Sequence, residues 1–159
     1  MRWDYDESNR EEEKTAIMMR LYALTAIVLA LKMSAISFVQ GRARTGAKVF
    51  VNPEDAALFG GTQAAQEVPT VQRAAKAWLN DLENIPIFLI LALIYAIAGL
   101  SFNAFVIYCA VFTIARILHT IFYLGAMQPW RTIAYTVGAL TSLALMIHLF
   151  VGFVIVGGD

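Results

Sequence analysis

Four apolar segments, each long enough to cross a lipid bilayer, restrict what this chain can fold into more than any other feature. They span about 16–41, 71–98, 102–124 and 131–156. A helix needs about 20 residues to cross a hydrocarbon core about 30 Å thick. Helices are the expected form, because a backbone in lipid must satisfy its own hydrogen bonds. Strands of a membrane barrel would alternate polar and apolar residues over about ten positions, and these segments do not. Charge is correspondingly scarce: 15% of the 159 residues are Asp, Glu, Lys or Arg, and 59% are hydrophobic. Soluble domains carry about 25% charge, and a soluble core of this size could not hide so much apolar surface. An ordinary cytosolic enzyme is excluded. The expected fold is all-α, an integral membrane four-helix bundle forming one domain over 16–156, preceded by an acidic tail at 1–15.

The connections set the topology. Residues 1–14 hold six acidic and three basic residues, which does not suit a signal peptide; the tail reads as mobile or interfacial. The turn at 99–101 is very tight, the link at 125–130 is short, and 41–70 is the one long polar stretch, with NPED at 52–55. Pro86 is expected to kink the second segment or break it locally. Arg42, Arg44, Lys48, Arg73 and Lys76 cluster in or beside the first connection and Arg131 lies at the third, whereas 99–101 carries no basic residue. The positive-inside rule then places 41–75 and 125–131 in the cytoplasm, with both termini opposite.

Several partners are disfavoured. Twelve basic and twelve acidic residues cancel, so net charge points to no nucleic acid. A lone cysteine, Cys109, excludes an internal disulfide, and the widely separated His119 and His148 do not form a metal-ligand set.

Charged side chains inside a span must snorkel, pair or line a wet cavity, so their spacing maps the interior. In the second segment Arg73, Lys76, Asn80 and Glu83 share a helical face, with Asp81 one residue off it. In the third, Arg116, His119 and Tyr123 share one, and Arg131, Thr132 and Tyr135 open the fourth. Lys32 and Arg20 read as snorkelling residues or as partners of Glu83 and its neighbours, and His148 as a plainly packed histidine. Each polar face also has a purely structural reading, as membrane anchors or helix bridges. With Arg44, the three clusters fall on one membrane side. Such a basic site suits a small polyanion bearing an amine, with arginines for its carboxylates, Glu83 for its ammonium and Asn80 for an amide.

Four ordered segments carry a resemblance: FVNPED at 50–55, LNDLENI at 79–85, ARILHTIFYL at 115–124 and RTIAYT at 131–136. Together they are similar to the membrane-associated proteins in eicosanoid and glutathione metabolism, in the branch of type 1 microsomal glutathione transferase and the inducible microsomal prostaglandin E synthase. The resemblance implies a homotrimer with glutathione sites between subunits, toward the cytoplasm. It implies that Arg44, Arg73, Lys76, Asn80, Glu83, His119, Tyr123, Arg131 and Tyr135 bind glutathione. Lys76 keeps the charge of a more usual arginine but lacks its fork. Leu79 and Trp78 tilt the comparison toward the transferase.

What this implies for function is a membrane glutathione transferase acting on hydrophobic electrophiles from the bilayer, with peroxidase activity toward lipid hydroperoxides beside it. Arg131 would stabilise the thiolate, helped by the hydroxyl of Thr132 or Tyr135. Arg116 would polarise the second substrate or hold an acidic residue such as Asp55. A prostaglandin-type isomerase is the alternative within the family. A non-enzymatic scaffold or a transporter subunit is the alternative outside it. The membrane is the bacterial inner membrane or the endoplasmic reticulum.

Overall fold

The computed structural model describes the backbone of residues 2–156 and the side chains of residues 9–153. Met1 and 157–159, part of the termini assigned above to the side opposite the cytoplasm, lie outside the described residues. In chain order come α1 (Arg2–Ala47), β1 (Val49–Phe50), α2 (Pro53–Phe59), β2 (Thr62–Gln63), α3 (Pro69–Ile97), α4 (Phe102–Leu124) and α5 (Trp130–Phe150), continued by a π-helical turn at Val151–Val156. The chain is a multi-pass membrane protein: α1, α3, α4 and α5 are each long and apolar enough to span a bilayer.

Each span buries one stripe at three- and four-residue spacing, which is the period of a helix packed on one side. On α1 the stripe is Met18, Thr25, Leu29 and Ile36. On α3 it is Val71, Ala74, Ala77, Asp81, Ile85, Phe88, Ala92 and Tyr95. Phe105, Cys109, Phe112, Arg116 and His119 form it on α4, and Ala134, Gly138, Thr141, Leu145 and Leu149 on α5. The apolar half of these stripes makes a single core in which the Phe88 and Phe112 rings stack with centroids 3.8 Å apart.

Local chemistry explains the ends. Gly99 takes a φ of 62°, a conformation that suits a residue without Cβ, and lets α3 reverse into α4 within four residues. Ser101 then caps α4 by accepting from the Ala104 amide at 3.5 Å. α3 runs on through Pro86 as one continuous helix. At 46 residues α1 extends roughly 69 Å, far more than the hydrocarbon thickness. The polar stretch after it is partly ordered: β1 and β2 pair in parallel, Val49 with Thr62 and Phe50 with Gln63, around the buried Phe50.

Candidate functional site

The buried stripe of α3 corrects one expectation. Arg73, Lys76 and Glu83 are exposed, so their face points away from this chain's own core. The inward charge is Asp81, fully buried between Ala77 and Ile85. The polar face and the inward face differ by about one residue's rotation, roughly 100° on a helix. Ala74, Ala77, Ile85 and Phe88, spaced around Asp81, are the signal that would have located it.

Asp81 organises an ionic cluster across three helices. Lys32 of α1 bonds to one carboxylate oxygen. Arg116 of α4 donates to the other from Nε at 3.1 Å and from Nη2 at 2.5 Å. The same Nη2 donates to the Asn80 Oδ1 at 2.6 Å. Arg116 is thus 0% exposed and held by Asp81, not by Asp55, which pairs with the Asn52 side chain at 3.1 Å. Lys32 meets Asp81, a neighbour of Glu83, as the pairing reading expects. A glycine at 138 brings α5 close here: a Cβ on it would lie 3.6 Å from Arg116 Cδ.

Next to this cluster opens a cavity of about 250 Å³ lined by Asn80, His119, Tyr123, Arg131, Thr132 and Tyr135. All six are among the candidates read from the sequence. His119 is 2% exposed, and its Nδ1 is buried without a hydrogen-bond partner. Its ring meets Tyr123 nearly edge-on at 5.4 Å and Tyr135 at 6.1 Å. The Arg131 guanidinium sits 4.6 Å over the Tyr123 ring, a cation–π contact that fixes its direction. Gln128, not anticipated from the sequence, ties the start of α5 together. With its oxygen toward Arg131 it accepts from Nη2 at 2.5 Å and Nε at 3.1 Å, while its nitrogen donates to Thr132 Oγ1 at 3.1 Å.

The remaining candidates do not line this cavity. Arg73 donates from Nη1 to the Leu124 carbonyl at 3.4 Å, tying α3 to the end of α4. Arg44 is paired with Glu67 at 2.8 Å, in the stretch before α3. Another face of α4 and α5, including Leu118, Phe122, Trp130 and Ile133, forms an apolar groove of about 420 Å³.

His148 also departs from expectation. It is not surrounded by apolar groups alone: Tyr95 Oη lies 3.3 Å and Tyr108 Oη 3.2 Å from its Nδ1. The three rings form a second polar cluster in the half of the bundle away from the cavity.

The model of the MAPEG family matches residues 22–151. Prostaglandin E synthase of Equus caballus is 38% identical over 129 residues, covering 79% of this chain and 84% of the relative. The Homo sapiens prostaglandin E synthase is 37% identical over 131 residues, covering 79% and 85%. Microsomal glutathione S-transferase 1 of Rattus norvegicus is 39% identical over 138 residues, covering 84% and 88%.

Proposed function

Because this chain belongs to the MAPEG family, we propose that it is a glutathione-dependent membrane enzyme acting on a lipid-soluble electrophile. One observation carries the reading: Arg131, Thr132 and Tyr135 on α5 face Asn80, His119 and Tyr123 across one small polar cavity in a membrane bundle. The residues suit glutathione. A guanidinium directed by Tyr123 and Gln128 is placed to hold an anion.

The chain's own contribution is to make the thiol of glutathione a thiolate. A thiol of pKa near 8.5 is mostly protonated at neutral pH, and each unit of lowering corresponds to about 1.4 kcal/mol of thiolate stabilisation. Arg131 supplies this as a preorganised cation, and the Thr132 and Tyr135 hydroxyls are near enough in sequence and space to add donors. In conjugation, the sulfur forms a bond to the electrophilic carbon, the leaving group departs with the bonding pair, and the thiol proton goes to solvent.

A second reading, isomerisation of a lipid endoperoxide with glutathione regenerated, is favoured by the prostaglandin E synthases among the relatives. Their identities and those of the transferases lie within a few per cent of each other, so Leu79 and Trp78 do not decide for conjugation. Peroxidase activity toward lipid hydroperoxides would draw on the same thiolate.

Trimer assembly belongs to the same proposal. Lys76 and Glu83 lie on the exposed face of α3, above Ile87, Ile90 and Ile94. Bare charges against lipid are costly, and a second copy of the chain would cover them and close the cavity from outside. The basic stretch at 42–48 would hold this end of the bundle in the cytoplasm.

The test is near-ultraviolet difference absorbance of the detergent-purified protein with glutathione, followed by product analysis with an aryl halide, a lipid hydroperoxide and a prostaglandin endoperoxide. Thiolate absorbance at neutral pH with turnover of one of these substrates is expected. Protein that neither binds nor ionises glutathione ends the enzymatic reading and favours a scaffold.

A further inference from the structure

The cluster of Lys32, Asp81 and Arg116 lies behind the cavity wall and touches it through one side chain, Asn80. Asp81 is 0% exposed, and the Arg116 and Lys32 side chains only 1% and 9%. Two cations and one carboxylate leave a buried charge of +1. Ion pairs this deep are a poor source of stability, since desolvation offsets much of the attraction. Their directional effect is clearer. A carboxamide has one acceptor oxygen and two N–H donors, and its two orientations differ by a half-turn. Arg116 Nη2 donates to Asn80 Oδ1 at 2.6 Å, so the oxygen is committed to the cluster and the amide nitrogen is left for the cavity that Asn80 lines. Arg116 holds this position because two of its nitrogens bond to the same Asp81 oxygen. Lys32 engages the other oxygen and stops the carboxylate from rotating.

We infer that Asp81 is a positioning residue: through Arg116 it orients the Asn80 carboxamide so that its N–H donors face the ligand cavity. The site therefore selects for a hydrogen-bond acceptor, such as a peptide carbonyl or carboxylate oxygen, at that point. The inference rests on the glutathione reading above for the identity of that acceptor.

The charge change makes the test sharp. Asp81→Asn raises the cluster from +1 to +2 beside an anion site. If the cluster acted only through its field, anionic glutathione would bind more tightly. If Asp81 acts by positioning, binding weakens. Calorimetric titration with glutathione on correctly assembled wild type, D81N, N80A and the D81N/N80A double variant separates the two. The expected result is a loss of about tenfold for N80A, a loss of about fivefold to tenfold for D81N, and a double variant no worse than about twofold below N80A, because both act through one donor. Should D81N fail to assemble, D81N/K32M, which restores a charge of +1, takes its place in the same cycle. Tighter binding by D81N, or a loss of the same size with and without Asn80, overturns the positioning role while leaving the glutathione reading intact. Wild-type protein that takes up no glutathione overturns both.

Discussion

Two histidines occupy the two halves of this bundle, and they are not alike. His148 is met by two tyrosine hydroxyls, from Tyr95 on α3 and Tyr108 on α4, with both rings edge-on to the imidazole. Its polar needs are served within the chain. His119 is more deeply buried and stands one turn above Arg116, yet its Nδ1 has no partner. A buried polar atom without a hydrogen bond is disfavoured by about 1–3 kcal/mol, and His119 carries that cost in the half of the bundle that holds the cavity. One half of the bundle is finished as folded. The other keeps an unsatisfied group beside its cavity.

The largest effect expected to test this contrast comes from Arg131. Arg131→Ala should lower turnover at least tenfold and raise the pKa of bound thiol by about one to two units, roughly 1.4–2.7 kcal/mol. Because a higher thiol pKa leaves less thiolate at neutral pH, part of the lost rate should return as pH rises. Arg131→Lys should keep some of the rate without the planar fork. Bound glutathione in R131A that titrates as in wild type would remove the residue from this role.

Next in size is Gly138→Val. A Cβ at this position would stand in ordinary contact, 3.6 Å from Arg116 Cδ, and the further methyl groups of valine are expected to crowd it. Overpacking of this kind costs about 1–3 kcal/mol, read as a fall in Tm, and glutathione affinity should fall with it while the His148 end stays intact. Normal affinity with a lowered Tm would separate the seam from the cavity.

The histidines themselves give a smaller and opposite pair of effects. His119→Leu should weaken glutathione binding about fivefold to tenfold with little change in Tm, since no internal hydrogen bond from Nδ1 is lost. His148→Phe should lower stability by about 1–3 kcal/mol by stranding the Tyr108 hydroxyl, since Tyr95 keeps the Ser101 carbonyl, and leave glutathione binding unchanged. Calorimetry and thermal unfolding on both variants check this, and equal losses of affinity would abolish the distinction. Smallest is Glu83→Gln, expected to weaken glutathione about threefold, the scale of an exposed ion pair. No change in calorimetric affinity would make Glu83 a contact between subunits only.

Much of this was legible in the sequence because lipid imposes strong rules. Long apolar runs announced four spans, and polar residues three and four apart on α4 and α5 announced the wall of the cavity. The polar face of α3 at Arg73, Lys76 and Glu83 lies on the side this chain leaves open, so its polarity does not report the chain's own core. Asp81 looked out of phase for that reason. The Tyr95–Tyr108–His148 cluster joins residues up to 53 positions apart, which no local period reveals. The two-residue pairing of β1 and β2 is too short to leave any pattern.

The Lys32–Asp81–Arg116 cluster also bears on how sequences of this kind diverge. Three positions on three helices share one carboxylate, so none of them is free to drift alone. A lineage that replaces Asp81 with a neutral residue would bury two unpaired cations, and selection should then remove Lys32 as well. Substitutions at 32, 81 and 116 are expected to arrive together, as a correlated set, while the exposed Leu79 and Leu82 between them vary independently.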